Sequence, residues 1–172
     1  MVETLIYSTM DAAAAKDTGN TPPSEVLVLT GAWSDALVLK GYALVELRKV
    51  EEAKATLKDA IGLAPMNPAP WSELGYIYQN EKSWSEALDA YRQAETGAQM
   101  TEDEAGHRPL YARALRGQAF VLTEQGQLDE SEALYRKCLA INPDDGGAKQ
   151  ELAYIAGLRS RQPAHVPAEP HP

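Results

Sequence analysis

The sequence is poor in cysteine and in basic residues, and it has no long apolar run. One cysteine in 172 residues excludes an internal disulfide framework and a cysteine-based metal site. Sixteen lysines and arginines stand against twenty-five acidic residues, which gives a net charge of -9. Such a charge repels phosphate backbones, so general nucleic-acid binding is not expected. No stretch approaches the roughly eighteen apolar residues of a membrane-spanning helix, so no span is predicted.

Motifs of catalysis and targeting are also missing. The chain has no phosphate-binding glycine loop, no nucleophile elbow and no zinc-protease motif, so no enzyme, cofactor or metal site is predicted. The N-terminus has no basic region ahead of an apolar run, which is unlike a signal peptide. We therefore expect a soluble, cytoplasmic protein, and a periplasmic one is the alternative if a signal peptide was removed.

What the sequence does have is internal repetition. Shifting the chain by 34 residues makes small residues coincide: Gly41 with Gly75, Ala53 with Ala87 and Ala60 with Ala94. After a further shift of 44 residues, Tyr91 coincides with Tyr135. The additional residues of the second period are an insertion, which falls within 99–111. Periods of this length are typical of stacked helical units.

Within each unit the pattern predicts two helices. Apolar residues recur at three- and four-residue steps, polar residues mark a break between the helices, and small residues allow a close antiparallel crossing. Ser83 opens a capping-box pattern, so a helix is predicted to begin at Trp84. Pro68 can occupy the first turn of another helix, and Asp144 or Asp145 can cap the last one. The sequence therefore predicts an all-α fold.

The second unit carries a family signature. Its first helix has a W-x-x-L-G-x-x-Y sequence formed by Trp71, Leu74, Gly75 and Tyr78. With these residues the unit resembles the tetratricopeptide repeat, a helix–turn–helix unit of 34 residues. The resemblance implies a superhelical array of three repeats with capping helices at both ends. The predicted segments are an N-terminal capping helix and loop at 1–33, repeats at 34–67, 68–111 (with the insertion at about 99–111) and 112–145, a C-terminal capping helix at 146–158, and a proline-rich flexible tail at 159–172.

The insertion is expected to interrupt the helices around it. Pro109 lacks an amide proton and its ring clashes with the preceding helical turn. The first helix of the third unit is therefore predicted to begin near Pro109. Residues 99–108 are predicted to form a protruding loop or a single turn.

The resemblance also implies a binding surface, because in this family the first helices of successive units line a concave groove. An aromatic residue follows the small residue of each unit, at Tyr42, Tyr76, Phe120 and Tyr154. These rings would form a ladder along the groove, unless they pack between neighbouring helices. The other residues predicted to line the groove are Val38, Val45, Ser72, Gln79, Asn80, Arg113, Arg116 and Thr123.

One binding mode of the family can be compared with this sequence residue by residue. Some tetratricopeptide domains hold the acidic C-terminal peptides of heat-shock chaperones in a carboxylate clamp. The clamp positions correspond here to Val38, Tyr42, Glu73, Arg113 and Gly117. Only the arginine fits, so chaperone-tail binding is not predicted. Arg113 and Arg116 are nevertheless the only cations among the predicted groove residues, and they favour a partner with an acidic or carboxylate-bearing segment.

The sequence therefore predicts a non-catalytic module that binds a peptide or helix of a partner protein in the groove. One alternative is a structural or self-associating subunit of a complex, whose groove its own chain fills. Another is a chaperone-like carrier for an exported partner.

Overall fold

The computed structural model describes residues 32–100 and 104–161, with side chains in the second range from Arg108 onward. This described part consists of α-helices joined by short turns, without strands. The helices are α1 Ala32–Glu46, α2 Val50–Leu63, α3 Pro68–Asn80, α4 Trp84–Gln99, α5 Glu104–Glu124, α6 Leu128–Ile141 and α7 Gly146–Arg161. The helix predicted near the N-terminus and residues 162–172 of the predicted tail lie outside the described residues.

The helices form an all-α superhelical array of helix–turn–helix pairs. α1 packs on α2, α3 on α4, and α5 on α6, and each pair also contacts the next. The first helices of consecutive pairs are neighbours, since α1 contacts α3 and α3 contacts α5. One face of the array is therefore built from α1, α3 and α5, and α7 continues the series after α6.

The two helices of a pair approach each other at small residues. A methyl group added to Gly41 would meet Leu57 at 2.7 Å, and one added to Gly75 would meet the ring of Tyr91 at the same distance. The small residues at the facing positions of the second helices are fully buried: Ala53, Ala87 and Ser131. A larger side chain at these positions would separate the helices, which explains why small residues recur with the period.

Each pair turns back through one residue in the left-handed conformation, and these are Arg48 (φ 59°), Lys82 (φ 59°) and Gly126 (φ 77°). The next residue closes each turn with the same backbone hydrogen bond of 2.9 Å: Lys49 to Leu44, Ser83 to Tyr78 and Gln127 to Leu122. This bond belongs to the Schellman motif, which normally favours glycine. Only the third turn has one, so the other two turns hold a basic residue in a conformation that costs it about 1–2 kcal/mol.

Local capping signals are borne out in part. α4 begins at Trp84, as predicted, but the Ser83 side chain forms no cap hydrogen bond. Pro68 lies in the first turn of α3, and Asn67 caps that helix by accepting from the Ala69 amide at 3.0 Å. Of the two candidate caps of the last helix, Asp145 is the one used, since its Oδ1 accepts from the Ala148 amide at 3.0 Å.

The insertion lengthens the helices, and the prediction of an interrupting loop was wrong. α4 continues to Gln99 and α5 begins at Glu104, five residues before Pro109. Pro109 is the sixth residue of α5, so its missing amide proton removes the hydrogen bond to the carbonyl of residue 105. The loss is confined to one backbone hydrogen bond in the second turn, and the helix continues through the proline.

The last helix also extends further than predicted. α7 ends at Arg161, so residues 159–161 are helical although they were assigned to the flexible tail. Arg159 forms ion pairs with Asp129 and, at 2.9 Å, with Glu132, both on α6. These contacts hold the end of α7 against the preceding helix.

Candidate peptide-binding groove

The aromatic residues of the predicted ladder lie on α1, α3, α5 and α7. Tyr42 is 54% exposed, Tyr76 is 44% exposed and Tyr154 is 51% exposed, whereas Phe120 is half-buried. Helix packing therefore leaves about half of each tyrosine accessible.

A cavity of about 270 Å³ opens between α3, α5 and α7. Five residues of the predicted groove line it together: Tyr76, Gln79, Arg113, Arg116 and Phe120. The other four predicted site residues, Val38, Tyr42, Asn80 and Tyr154, do not line it. The structure thus concentrates the predicted site residues in the second half of the array.

Two polar residues predicted for the groove are buried. Ser72 has no exposed surface, and its hydroxyl group has no hydrogen-bond partner within the described part. Thr123 is 7% exposed, and its hydroxyl group donates to the Ala119 carbonyl at 3.1 Å and contacts the Ser131 hydroxyl at 2.7 Å. These side chains serve helix packing, and their assignment to the groove was wrong.

The floor of the cavity contains residues that the sequence did not assign to the site. The ring of Tyr91 reaches it from α4, between Gly75 on α3 and Gly117 on α5, and a methyl group at Gly117 would overlap this ring. Tyr135 contributes a second buried ring from α6. The available signal was the pair of glycines, because a position that needs glycine inside a helix indicates close approach of another group.

The Tyr91 hydroxyl group is fixed. It donates a hydrogen bond of 2.9 Å to Oε1 of Gln79 on α3. Burial raises the pKa of the Tyr91 phenol well above its ordinary value, although the nearby Arg113 partly opposes this. The phenol therefore stays protonated and remains a donor at any physiological pH.

The two arginines of the cavity are engaged in ion pairs within the chain. Arg113 on α5 lies 2.6 Å from a carboxylate oxygen of Glu73 on α3, and Arg116 lies 2.6 Å from Oδ2 of Asp145 at the start of α7. Both carboxylates are buried, whereas each arginine keeps about 40% of its side chain exposed. The pairs therefore connect α3 to α5 and α5 to α7.

Asp145 is stabilised in its charged form. Its burial alone would raise the pKa of this carboxyl group. Hydrogen bonds from the Ala148 amide and from Arg116 outweigh burial, so the pKa is lowered below the ordinary value of 3.8. The ion pair with Arg116 is consequently intact at neutral pH.

A second cleft, of about 420 Å³, lies beside Ile61, Trp71 and Tyr78 on the side of α2 and α4. Its aromatic rings already have partners in the chain. The Trp71 indole donates to the Pro65 carbonyl at 2.9 Å, and the Lys54 ammonium lies 5.6 Å from the Tyr78 ring centre. Tyr76, by contrast, offers an open ring on the other face.

The described residues contain no cluster of three or more side chains suited to hold a metal ion. Among the same residues, no helix has the length and apolar character that crossing a membrane requires.

Sequence profiles of the tetratricopeptide repeat match residues 34–67 and 68–144 of the chain. Among curated protein sequences no match is found. The chain is similar to the solved structure of the first TPR of Spaghetti (RPAP3) bound to the HSP90 peptide SRMEEVD, with 20% identity, a TM-score of 0.65, and coverage of 76% of this chain and 98% of that chain.

Two further solved structures are similar. The N-terminal domain of stress-induced protein-1 (STI-1) from C. elegans has 20% identity and a TM-score of 0.61, with 73% of this chain and 98% of that chain covered. The Arabidopsis OM64 TPR domain has 15% identity and a TM-score of 0.64, with 74% and 98% covered. At identities this low, the structural similarity establishes a shared fold and nothing more.

Proposed function

The chain belongs to the tetratricopeptide repeat family, and we propose that it is a non-catalytic module that binds a segment of a partner protein on the face formed by α1, α3, α5 and α7. The cavity between α3, α5 and α7 carries this proposal. Tyr76 and Phe120 offer accessible aromatic surface beside it. Large aromatic side chains at a concave surface are the usual anchors of protein interfaces, and a peptide or an amphipathic helix fits a groove of this kind.

Selection from a random peptide library tests the proposal directly. Twelve-residue peptides displayed on phage are panned against the full chain, and the dissociation constants of the enriched peptides are measured by calorimetry. We expect Phe120→Ala to weaken binding about tenfold or more, as for an interface anchor. Leu63→Ala is the control, because Leu63 is an exposed apolar residue on α2, outside the proposed face, that does not line the cavity. Peptides that bind both variants equally would show that this surface is not the binding site.

We also propose that this chain does not bind the chaperone peptide seen in its structural neighbour. Arg113 is the one residue that fits the clamp, and Glu73 already neutralises it at 2.6 Å. Gly117 stands where a clamp arginine is required, and Tyr91 leaves no room there for a side chain. Titration of the peptide SRMEEVD into the chain should give no saturable heat at millimolar concentration, and saturable binding would overturn this statement.

A second candidate function is self-association, which the surface of α1 favours. Trp33 and Leu39 on α1 are 62% and 71% exposed, and Leu47, directly after this helix, is 68% exposed. α1 is the first helix of the described part, and exposed apolar residues on a terminal repeat limit solubility unless another surface covers them. Sedimentation velocity over a hundredfold range of concentration should then show a dimer that Leu39→Glu disrupts. A monomer at every concentration would exclude this function.

A further inference from the structure

The cavity between α3, α5 and α7 has the size of a pocket for one side chain. Its volume is about 270 Å³, just below the range of about 300–1,000 Å³ that is usual for sites of drug-sized molecules. Tyr76 and Phe120 form its walls, and Tyr91 and Tyr135 lie at its floor. An incoming side chain would therefore meet four aromatic rings.

The floor of the pocket is rigid before any partner binds. Tyr91 is 4% exposed, its ring is confined between Gly75 and Gly117, and its hydroxyl group is bonded to Gln79. Little conformational freedom is left to lose there, so binding costs less free energy than it would in a flexible pocket. Aromatic side chains gain further from such a lining, because offset and edge-to-face ring pairs add to the burial of area.

The electrostatics of the pocket are set by the ion pairs beneath it. Glu73 cancels the charge of Arg113, and Asp145 cancels that of Arg116. Glu151 also lines the pocket, is half-buried, and has no ion-pair partner among the side chains that the structure describes. The lining and its internal partners therefore keep one unbalanced negative charge, in a chain whose net charge is -9.

We propose that this pocket, as part of the binding surface proposed above, takes one aromatic side chain of the partner, and that a lysine or arginine close to it contacts Glu151. This partner chemistry is the reverse of the acidic segment that Arg113 and Arg116 suggest in the sequence. An acidic segment would have to compete with two buried carboxylates for guanidinium groups that are already paired, while Glu151 repels it. A basic one meets the carboxylate of Glu151, which has no ion-pair partner among the described side chains.

The peptide selection described above also tests this inference, through the sequences that it enriches. We expect peptides with a Phe, Tyr or Trp and a nearby Lys or Arg, and a depletion of Asp and Glu. Phe120→Leu should weaken these peptides about threefold to tenfold, because it retains apolar bulk but removes the ring contact. Glu151→Lys should weaken them about tenfold and reduce their salt dependence. Circular dichroism and thermal melts confirm that each variant is folded.

Releasing an arginine provides a gain-of-function arm. Glu73→Gln keeps the size of the side chain and frees Arg113, so we expect this variant to show saturable binding of acidic peptides such as SRMEEVD, which the original chain does not show. Asp145→Asn should have the same effect through Arg116 and retains a side-chain oxygen for the helix cap. If both variants fold and neither improves binding of acidic peptides, the inference that the two ion pairs exclude an acidic partner is overturned.

The outcomes separate the two proposals. If none of the enriched peptides depends on Phe120, the proposed function and the inference are both overturned. Enriched peptides that depend on Phe120 but carry acidic residues, or lack an aromatic one, would leave the function standing and overturn the inference alone.

Discussion

Asn67 and Asp145 occupy equivalent positions of the repeat, separated by one period of 34 residues and one of 44. Each caps the helix that follows and also binds the preceding first helix. The Asn67 amide donates to the Ser34 hydroxyl group at 3.1 Å and to Oδ1 of Asp35 at 3.0 Å, so it joins α3 to α1 without a charge of its own. Asp145 joins α7 to α5 through an ion pair with Arg116.

The difference shows how one position can set the character of each half of the array. The junction at Asn67, called neutral after that uncharged residue, contains the carboxylate of Asp35 and no cation. The residue one period of 34 and one of 44 before Arg116 is the apolar Val38. The charged junction needs an arginine, and that arginine lines the pocket. The residue that joins two helices thus determines which charged side chains of the groove are left unpaired for a partner.

The largest effect is expected at the floor of the charged half. Tyr91→Ala should lower the free energy of unfolding by about 3–5 kcal/mol, because it removes a buried ring and leaves a cavity. Tyr42→Ala, at an exposed ring in the neutral half, is the control and should alter stability by less than about 0.5 kcal/mol. Urea denaturation measures both. Similar losses from the two variants would show that the Tyr91 ring is not buried at the floor of the pocket.

A methyl group can test the close approach at Gly117. Gly117→Ala should destabilise the fold by about 1–3 kcal/mol, because the added carbon overlaps the Tyr91 ring. Gly157→Ala, in α7, is the control. No atom lies within 4 Å of that position, so this change should stabilise the helix by about 0.5–1 kcal/mol. Chemical denaturation that ranks the two variants in the opposite order would place Tyr91 elsewhere.

The two junction residues can be compared by removing their caps. Asn67→Ala and Asp145→Ala should each cost about 0.5–2 kcal/mol in thermal unfolding, because each leaves a helix amide without its acceptor. Asn67→Asp should also destabilise at neutral pH, since it places a carboxylate beside Asp35. If Asn67→Asp left stability unchanged, the hydrogen bonds from the Asn67 side-chain amide to α1 would not be what holds the junction.

The pH dependence of stability should belong to the charged junction. The pKa of Asp145 is lowered in the folded chain, so its contribution is present above the unfolded value near 3.8 and is lost as the pH falls through the folded value. Asp145→Asn should therefore lose less stability than the original chain during an acid titration followed by circular dichroism. Asn67→Ala, as the control, should keep the original slope. Parallel curves for Asp145→Asn and the original chain would contradict this assignment.

The smallest effect is expected in the turns within the units. Lys82→Gly should stabilise the chain by up to about 1 kcal/mol, because glycine adopts the left-handed conformation without strain. Gly126→Ala should destabilise it by a similar amount, and thermal melts of both variants measure the difference. Destabilisation by Lys82→Gly would mean that the lysine side chain contributes more than its backbone costs.

The fold was predictable from the sequence because its signals are repeated. Gly75, Ala87 and Trp84 each fit a pattern that also occurs one period away, so errors at single residues have little effect. The insertion occurs once, and a local rule about Pro109 decided it wrongly. The rule that a proline ends a helix does not hold in the second turn of α5, and the sequence alone does not show where that helix starts.

The chemistry of the groove was less predictable, because it depends on partners that are distant in sequence. Arg113 and Glu73 are forty residues apart, and only the superhelical stacking brings them together. Each arginine was therefore interpreted as available to a ligand, although the structure pairs both. Phe120 and Tyr76 follow from the period alone, and their common place on the pocket wall was within reach of the sequence.

The lengthened helices at the insertion have a consequence for how this chain can change in length. α5 begins at Glu104, eight residues before position 112, which is equivalent to the start of α3 at Pro68. At about 1.5 Å per residue, α5 therefore starts about 12 Å earlier along its axis than α3 does in its own repeat. Adding or deleting seven residues, about two turns, would lengthen or shorten this N-terminal extension of α5, while the rest of the helix keeps the same face toward α3 and α4. Evolution or an engineer could therefore attach new elements there without reshaping the groove.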